Sequence, residues 1–349
     1  MTAAPHDAYR AALARAAELT APLLVDSGVA TAGLPRLRAL LADRYTRAGL
    51  ATRPEQILVT AGAQAALTLL LDHLHTDRTA PVLVENPAHP GALAVLRARR
   101  ARLLPVPVSA ADGWDTARLT TAVRRHRPRL AYLVPDFHDP TGAHMDPAAR
   151  RTVAALAERH DLTVLADETL RDLDLRTPPG TEPHLAGARV IQIGSVSKTL
   201  WSGLRVGWIR AGADLVRQLR LRPPGPARAA ALEQLITAEL LGAPLPALLA
   251  DRRARLRAQR DHLAGLLAGT GWTYTVPAGG LSLWLHLGGT GPRAASLAAR
   301  AAARGLALSP GPRFAADRAT LTRHLRLPFT ATPETLTRAV ELLRACDTV

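Results

Sequence analysis

Val190-Ile191-Gln192-Ile193-Gly194-Ser195-Val196-Ser197-Lys198 is a short apolar run that breaks into glycine and hydroxyls and ends on a lysine. An apolar stretch of this length, closed by Gly194, reads as a buried strand from Val190 to Ile193. Working outward, six similar runs appear at Gln56 to Thr60, Pro81 to Glu85, Arg102 to Val106, Leu130 to Pro135, Thr163 to Asp167 and Gly207 to Arg210. Helical patterns lie between them at Ala63 to His73, Pro90 to Arg99, Asp115 to His126 and Pro147 to His160. Strands alternating with helices predict an α/β fold: a mostly parallel, seven-stranded sheet sandwiched by helices, with right-handed crossovers.

After Arg210 the pattern changes. A helical region is expected from Ala211 to Leu267, interrupted by Pro223 to Pro226. Two strands, Trp272 to Val276 and Leu281 to Leu287, would flank the Gly279-Gly280 turn. A helix at Ala294 to Arg304, a strand at His324 to Leu327 and a helix at Pro333 to Arg344 complete a smaller α+β unit. The N-terminal helix is placed beside it. The expected division is a large unit at 34–250 and a small one made of 1–33 and 251–349, sharing an interface because no Gly/Ser linker parts them.

Composition narrows the function classes. With 349 residues, 48% of them hydrophobic, the chain can bury a large core. The net charge of +15 invites a nucleic-acid reading. However, all but one of the 44 basic residues are arginines, scattered over helical stretches such as Asp251 to Arg260 rather than gathered with aromatics. No nucleic-acid partner is expected. The single cysteine, Cys346, excludes an intrachain disulfide and makes the cytoplasm the default compartment. Arg10, Arg15 and Glu18 interrupt the first helix, so it does not read as a signal peptide. No apolar run is long enough to span a bilayer. Metal-ligand spacing, a phosphate-loop lysine motif and a Gly-x-Ser-x-Gly elbow are all missing from the sequence.

The chemistry gathers at Lys198. Its amine can condense with an aldehyde if burial leaves it partly deprotonated. Ser195, Ser197 and Arg205, the last within Gly203-Leu204-Arg205-Val206-Gly207, could converge on a phosphate. A surface lysine after a strand is the plainer alternative. Against it, a chain that uses arginine at every other basic position kept lysine here, and arginine cannot form an imine.

With these residues in view, the chain resembles the fold-type I aminotransferases, and more nearly the aminotransferase domain of MocR-type regulators. The resemblance runs from about Thr31 to Arg344, with its motifs in the family's order. It starts almost at once, at Ala32-Gly33-Leu34-Pro35-Arg36-Leu37-Arg38, without the winged-helix domain of those regulators. That favours a free-standing enzyme over a transcription factor.

The resemblance implies pyridoxal 5′-phosphate (PLP) bound to Lys198 as a Schiff base. Gly62, Ala63 and Gln64, in Thr60-Ala61-Gly62-Ala63-Gln64, match a strand-to-helix turn whose N–H groups hold the cofactor phosphate. Asp167 matches the carboxylate that pairs with the pyridinium nitrogen and makes the ring an electron sink; it also reads as a helix N-cap. His89 falls where the family stacks a ring on the cofactor, and alone would read as a loop residue. Arg326, in Leu325-Arg326-Leu327-Pro328-Phe329, matches the fork that clamps a substrate α-carboxylate. Pro277 to Trp284 resembles a turn bordering the substrate pocket, and Ser309-Pro310-Gly311 matches more weakly. A homodimer is implied, because family active sites lie at a dimer interface.

Three departures stand out. Asp139-Pro140-Thr141-Gly142 replaces the usual Asn-Pro-Thr-Gly, and an ionised aspartate cannot donate to the cofactor's phenolic oxygen as an amide does. Leu170 stands where many aminotransferases carry a tyrosine donor to that same oxygen. With both donors weakened, the imine proton should be held more tightly, which a spectrophotometric pH titration would register. Near Gly28 to Ala32 the partner-reaching tyrosine of related enzymes is missing. The expectation is therefore a PLP-dependent aminotransferase acting on an α-amino acid or related amine. Decarboxylation, elimination, replacement, racemisation, oxidation or C–C bond formation on the same scaffold stays open, as does a PLP- or amino-acid-sensing module without turnover.

Overall fold

The computed structural model describes residues 3–25, 30–74, 79–222, 228–289, 294–317 and 319–347. The Pro223 to Pro226 interruption and Gly28 lie outside the described residues. The main sheet contains β1 (Ile57–Thr60), β2 (Val82–Asn86), β3 (Leu103–Ser109), β4 (Gly113–Trp114), β5 (Leu130–Leu133), β6 (Thr163–Asp167), β7 (Val190–Ser195) and β8 (Gly207–Arg210). Their spatial order is β1-β8-β7-β6-β5-β2-β3-β4. The five central strands, β7 to β3 in that order, run parallel, while β8 is antiparallel to both neighbours and β4 to β3.

The sheet thus has eight strands rather than the seven expected. The extra one, β4, is two residues long and returns on β3 through a tight turn, where Ser109 Oγ accepts from Ala111 N and Asp112 N. Two residues carry no readable alternation.

Parity within the apolar runs sorts side chains to the two faces. On β2, Val82 and Val84 face one core together with Leu67, Leu70 and Leu96, whereas Leu83 faces another with Leu119, Val123 and Val153. The first core is closed by α3 (Ala63–Leu74), α4 (Pro90–Ala98) and α7 (Ala213–Arg220). The second is closed by α5 (Thr116–His126) and α6 (Pro147–Arg159). The side chains of Asp115 and Asp146 cap α5 and α6, accepting from Arg118 N at 2.9 Å and Ala149 N at 2.8 Å. Such caps contribute about 1 kcal/mol each.

A third core forms where α1 (Ala3–Thr20), α2 (Pro35–Arg47) and α8 (Ala231–Leu241) meet β8. There Ala12 and Ala16 pack in one cluster with Leu37, Leu41, Trp208 and Ile236. The N-terminal helix therefore lies on α8, not beside the small sheet, because its narrow alanine stripe admits a close helix–helix approach.

The chain then enters α9 (Leu245–Leu267), one unbroken helix of 23 residues. Its end joins the core of the smaller unit through Leu256, Leu263 and Leu267. That unit holds β9 (Ser282–His286), β10 (Ser309–Pro310) and β11 (His324–Pro328), antiparallel in the order β10-β11-β9, with α10 (Ala294–Ala302) and α11 (Pro333–Asp347). The strand expected from Trp272 to Val276 shrinks to one bridge, Thr273 to His286. Trp272 is instead buried and donates through Nε1 to Asp347, while the Tyr274 hydroxyl donates to Ala264 O. No single described helix is long and apolar enough to cross a membrane.

Candidate active site

The carboxyl ends of the parallel strands are where an open α/β sheet leaves a crevice. A cavity of ≈ 240 Å³ lies there, bounded by Gly62, Ala63, Gln64, His89, Asp139, Asp167, Ser195, Ser197, Lys198 and Arg205. Ten of the eleven residues singled out from sequence thus line one cavity.

Each is placed by its element. Gly62 adopts φ +92° in the turn from β1 to α3, a left-handed geometry that favours glycine. The first bond of α3 runs from Ala66 N to Gly62 O, so the N–H groups of Ala63 and Gln64 have no intrahelical acceptor. Ser195 ends β7; its Oγ donates to Val206 O at 3.0 Å and accepts from Ser197 N at 3.1 Å. This turn presents Lys198, half-buried, at the cavity wall. Arg205 takes φ +48° just before β8 and forms no ion pair among the described residues. His89 caps α4 by accepting from Gly91 N through Nδ1 at 3.1 Å. Burial lowers its pKa despite Asp139 and Asp167 nearby, so the ring is neutral.

Asp167 ends β6 and is buried. Its Oδ1 accepts from Thr169 N at 2.9 Å, and its Oδ2 accepts from the Tyr132 hydroxyl at 2.6 Å. Tyr132, on the neighbouring strand β5, is a functional residue that the sequence reading missed. Burial, with the Asp167 charge beside it, raises the phenol well above its ordinary range, which keeps it a donor. A hydroxyl inside an otherwise apolar parallel strand was the available signal, since a buried tyrosine needs a partner.

Asp139 lines the same cavity from the loop after β5. Glu85 braces that loop: fully buried, it accepts from Val134 N at 2.9 Å and Trp114 Nε1 at 2.8 Å, and His138 Nε2 lies 3.3 Å away. Arg326, on β11, is not on the cavity wall. It pairs with Asp139, with Nε to Oδ1 at 2.6 Å and Nη2 to Oδ2 at 3.3 Å. Burial pushes the Asp139 carboxyl up, but the charge and hydrogen bonds of Arg326 beside it outweigh that and hold it below the usual range. Leu170 is buried at the cavity edge, so no donor stands there. A larger cavity of ≈ 500 Å³ lies near Arg44 and His144, and its charges are largely paired, as in Arg171–Asp136 and Arg176–Glu182.

The donor set fits pyridoxal phosphate. There is one amine, a carboxylate at the end of the neighbouring strand, a flat ring at His89, and at Arg205 a guanidinium without an ion pair among the described residues, with hydroxyls and helix N–H groups for phosphate. Among the described residues, no cluster of three or more His, Cys, Asp or Glu could hold a metal ion.

Fold and cavity together define a PLP-dependent enzyme of fold type I. The chain belongs to the aminotransferase class I and II family, whose pattern matches residues 5–343. It is 32% identical over 321 residues to 2-aminoadipate transaminase of Thermus thermophilus, covering 86% of this chain and 78% of that one. It is 29% identical to the transcriptional regulator TauR of Rhodobacter capsulatus, spanning 85% of this chain but 62% of the regulator. Of the regulator YdcR of Escherichia coli it spans 48%. Among solved structures, LysN of Thermus thermophilus, an alpha-aminoadipate aminotransferase complexed with N-(5′-phosphopyridoxyl)-L-leucine, superposes with a TM-score of 0.84 at 29% identity. That match covers 95% of this chain and 87% of LysN. A kynurenine aminotransferase of Pyrococcus horikoshii shares the fold at 23% identity, with a TM-score of 0.88.

Proposed function

We propose that the chain is an aminotransferase acting on an α-amino acid or related amine through Lys198. The observation that carries this reading is that the only lysine of the chain lies on the same cavity wall as Asp167. Pyridoxal phosphate, when bound, supplies an aldehyde for an amine and a ring that draws electrons from the substrate Cα. Lys198 Nζ would hold the cofactor aldehyde and, when free, is the group that would move a proton at the substrate Cα. Asp167, fixed by Tyr132 and Thr169 N, keeps the ring nitrogen protonated. The N–H groups of Ala63 and Gln64, with Ser195, Ser197 and Arg205, would bind the phosphate, and His89 would stack on the ring. A division into 34–250 as the cofactor-binding unit, a homodimer and a cytoplasmic setting belong to the same reading. The exposed Trp201, near Lys198, supports a dimer contact.

Reconstitution with pyridoxal phosphate, borohydride reduction and peptide mass spectrometry test the reading. The cofactor mass should reside on the Lys198 peptide and vanish in Lys198→Ala. A panel of amino acids and amines should then yield carbonyl product with pyridoxamine phosphate. Release of carbon dioxide or ammonia would replace transamination by another reaction on the same lysine, and binding without product would indicate a sensor.

A further inference from the structure

The expected carboxylate clamp is already occupied by a carboxylate of the chain itself. Asp139 lines the cavity and holds Arg326 in a two-point ion pair. Among the described residues lining that cavity, the fixed cations are Lys198 and Arg205. The first is committed to the cofactor aldehyde and the second to its phosphate in the reading above, on which this inference rests. His89 is neutral. No uncommitted positive charge is left for a substrate α-carboxylate, which would approach the Asp139 anion and compete with it for Arg326. With the charge of Arg326 already cancelled by Asp139, a substrate carboxylate would be desolvated there without a partner, which is disfavoured. The ion pair is held firmly from both sides. Arg326 is central in the small sheet, paired in register with Trp284 and Ser309, and Asp139 follows the Glu85-braced loop.

We propose that Asp139 takes the place of the substrate carboxylate on Arg326, so that the site selects primary amines lacking an α-carboxylate over α-amino acids. Asp139 is then a specificity-determining residue: it neutralises the clamp and leaves an uncharged substituent on the substrate α-carbon as the better fit.

Absorbance titration of the cofactor-loaded protein tests this by binding, without turnover. The probes are L-leucine with 3-methylbutylamine, L-ornithine with putrescine, and L-phenylalanine with phenethylamine, each pair differing by the carboxylate. Wild type should bind at least one amine, and amines at least tenfold more tightly than their amino acids. Asp139→Asn should bind the amino acids at least tenfold more tightly than wild type does, and adding Arg326→Gln should abolish that gain. Arg326→Gln alone should alter amino-acid affinity less than threefold. Equal or tighter binding of amino acids by wild type overturns the proposal, as does failure of the loaded protein to bind any of the amines. A folded Asp139→Asn without the gain overturns it too. Should that variant not fold, the wild-type ratios and Arg326→Gln decide. Loss of borohydride-trapped cofactor from Lys198 would instead remove the underlying reading.

Discussion

Two carboxylates line one cavity, Asp167 buried and Asp139 half-buried, and they are held in opposite ways. Asp167, at the end of β6, is bonded to neutral donors only, the Tyr132 hydroxyl and the Thr169 amide. Asp139, on the loop after β5, is bonded to a cation, Arg326. Neutral donors orient a carboxylate without cancelling its charge, which suits Asp167 to pair with a protonated ring. An ion pair cancels the charge it orients. The same side chain is thus a source of field at one position and a stopper at the other. Partner choice, more than burial, sets what a carboxylate can do.

The strongest way to break this comparison is Asp167→Asn. Turnover should fall by roughly 10²–10³-fold, the scale for removing a charge placed where the reaction needs it. Cofactor absorbance would show the loading, and full activity in the loaded variant would sink the assigned role. Glu85→Ala attacks the support of the other carboxylate. It strands the Val134 and Trp114 donors at a site of zero exposure, so a loss of about 3 kcal/mol is expected in urea denaturation. An unchanged midpoint would show that the Asp139 loop is held some other way. Tyr132→Phe sharpens the case of the first carboxylate: loss of one bond to a charged group, about 1.5 kcal/mol, should lower kcat roughly tenfold with the fold intact.

The smallest effect concerns His324, on β11 two residues from Arg326. Burial, with His286 beside it, lowers its pKa from 6.5 to about 4. The unfolded chain therefore binds this proton more readily between those values, and stability should fall as pH drops from 6.5 towards 4. His324→Gln should flatten that part of a melting-temperature profile, and an unaltered slope would exclude the residue.

Much of this was legible in the sequence because the apolar runs and their breaks are local. Thr163 to Asp167 and Gly207 to Arg210 match strands residue for residue. The β4 strand escaped because Gly113–Trp114 pairs only through its turn, and Trp272 to Val276 misled because its aromatics pack without a ladder. The site splits similarly. Residues near Lys198 follow a contiguous motif, so their convergence could be read. The Asp139–Arg326 contact joins positions 187 apart, and it arises from how the small sheet docks, which no local pattern encodes. Position in a motif suggested what Arg326 could grasp but not that it was already grasped.

Helix α9 carries a mechanical implication. Its 23 residues make a rod about 34 Å long. The rod is fastened along its length by Arg253 to Asp172 O, Arg257 to Leu175 O and Arg260 to Pro277 O. A tilt of about 2° at its first turn sweeps its far end by about 1 Å, the scale of misplacement that can cost a reaction two orders of magnitude in rate. The helix is thus a lever arm: small rotations at the base of the large unit are magnified where the substrate-side wall is hung.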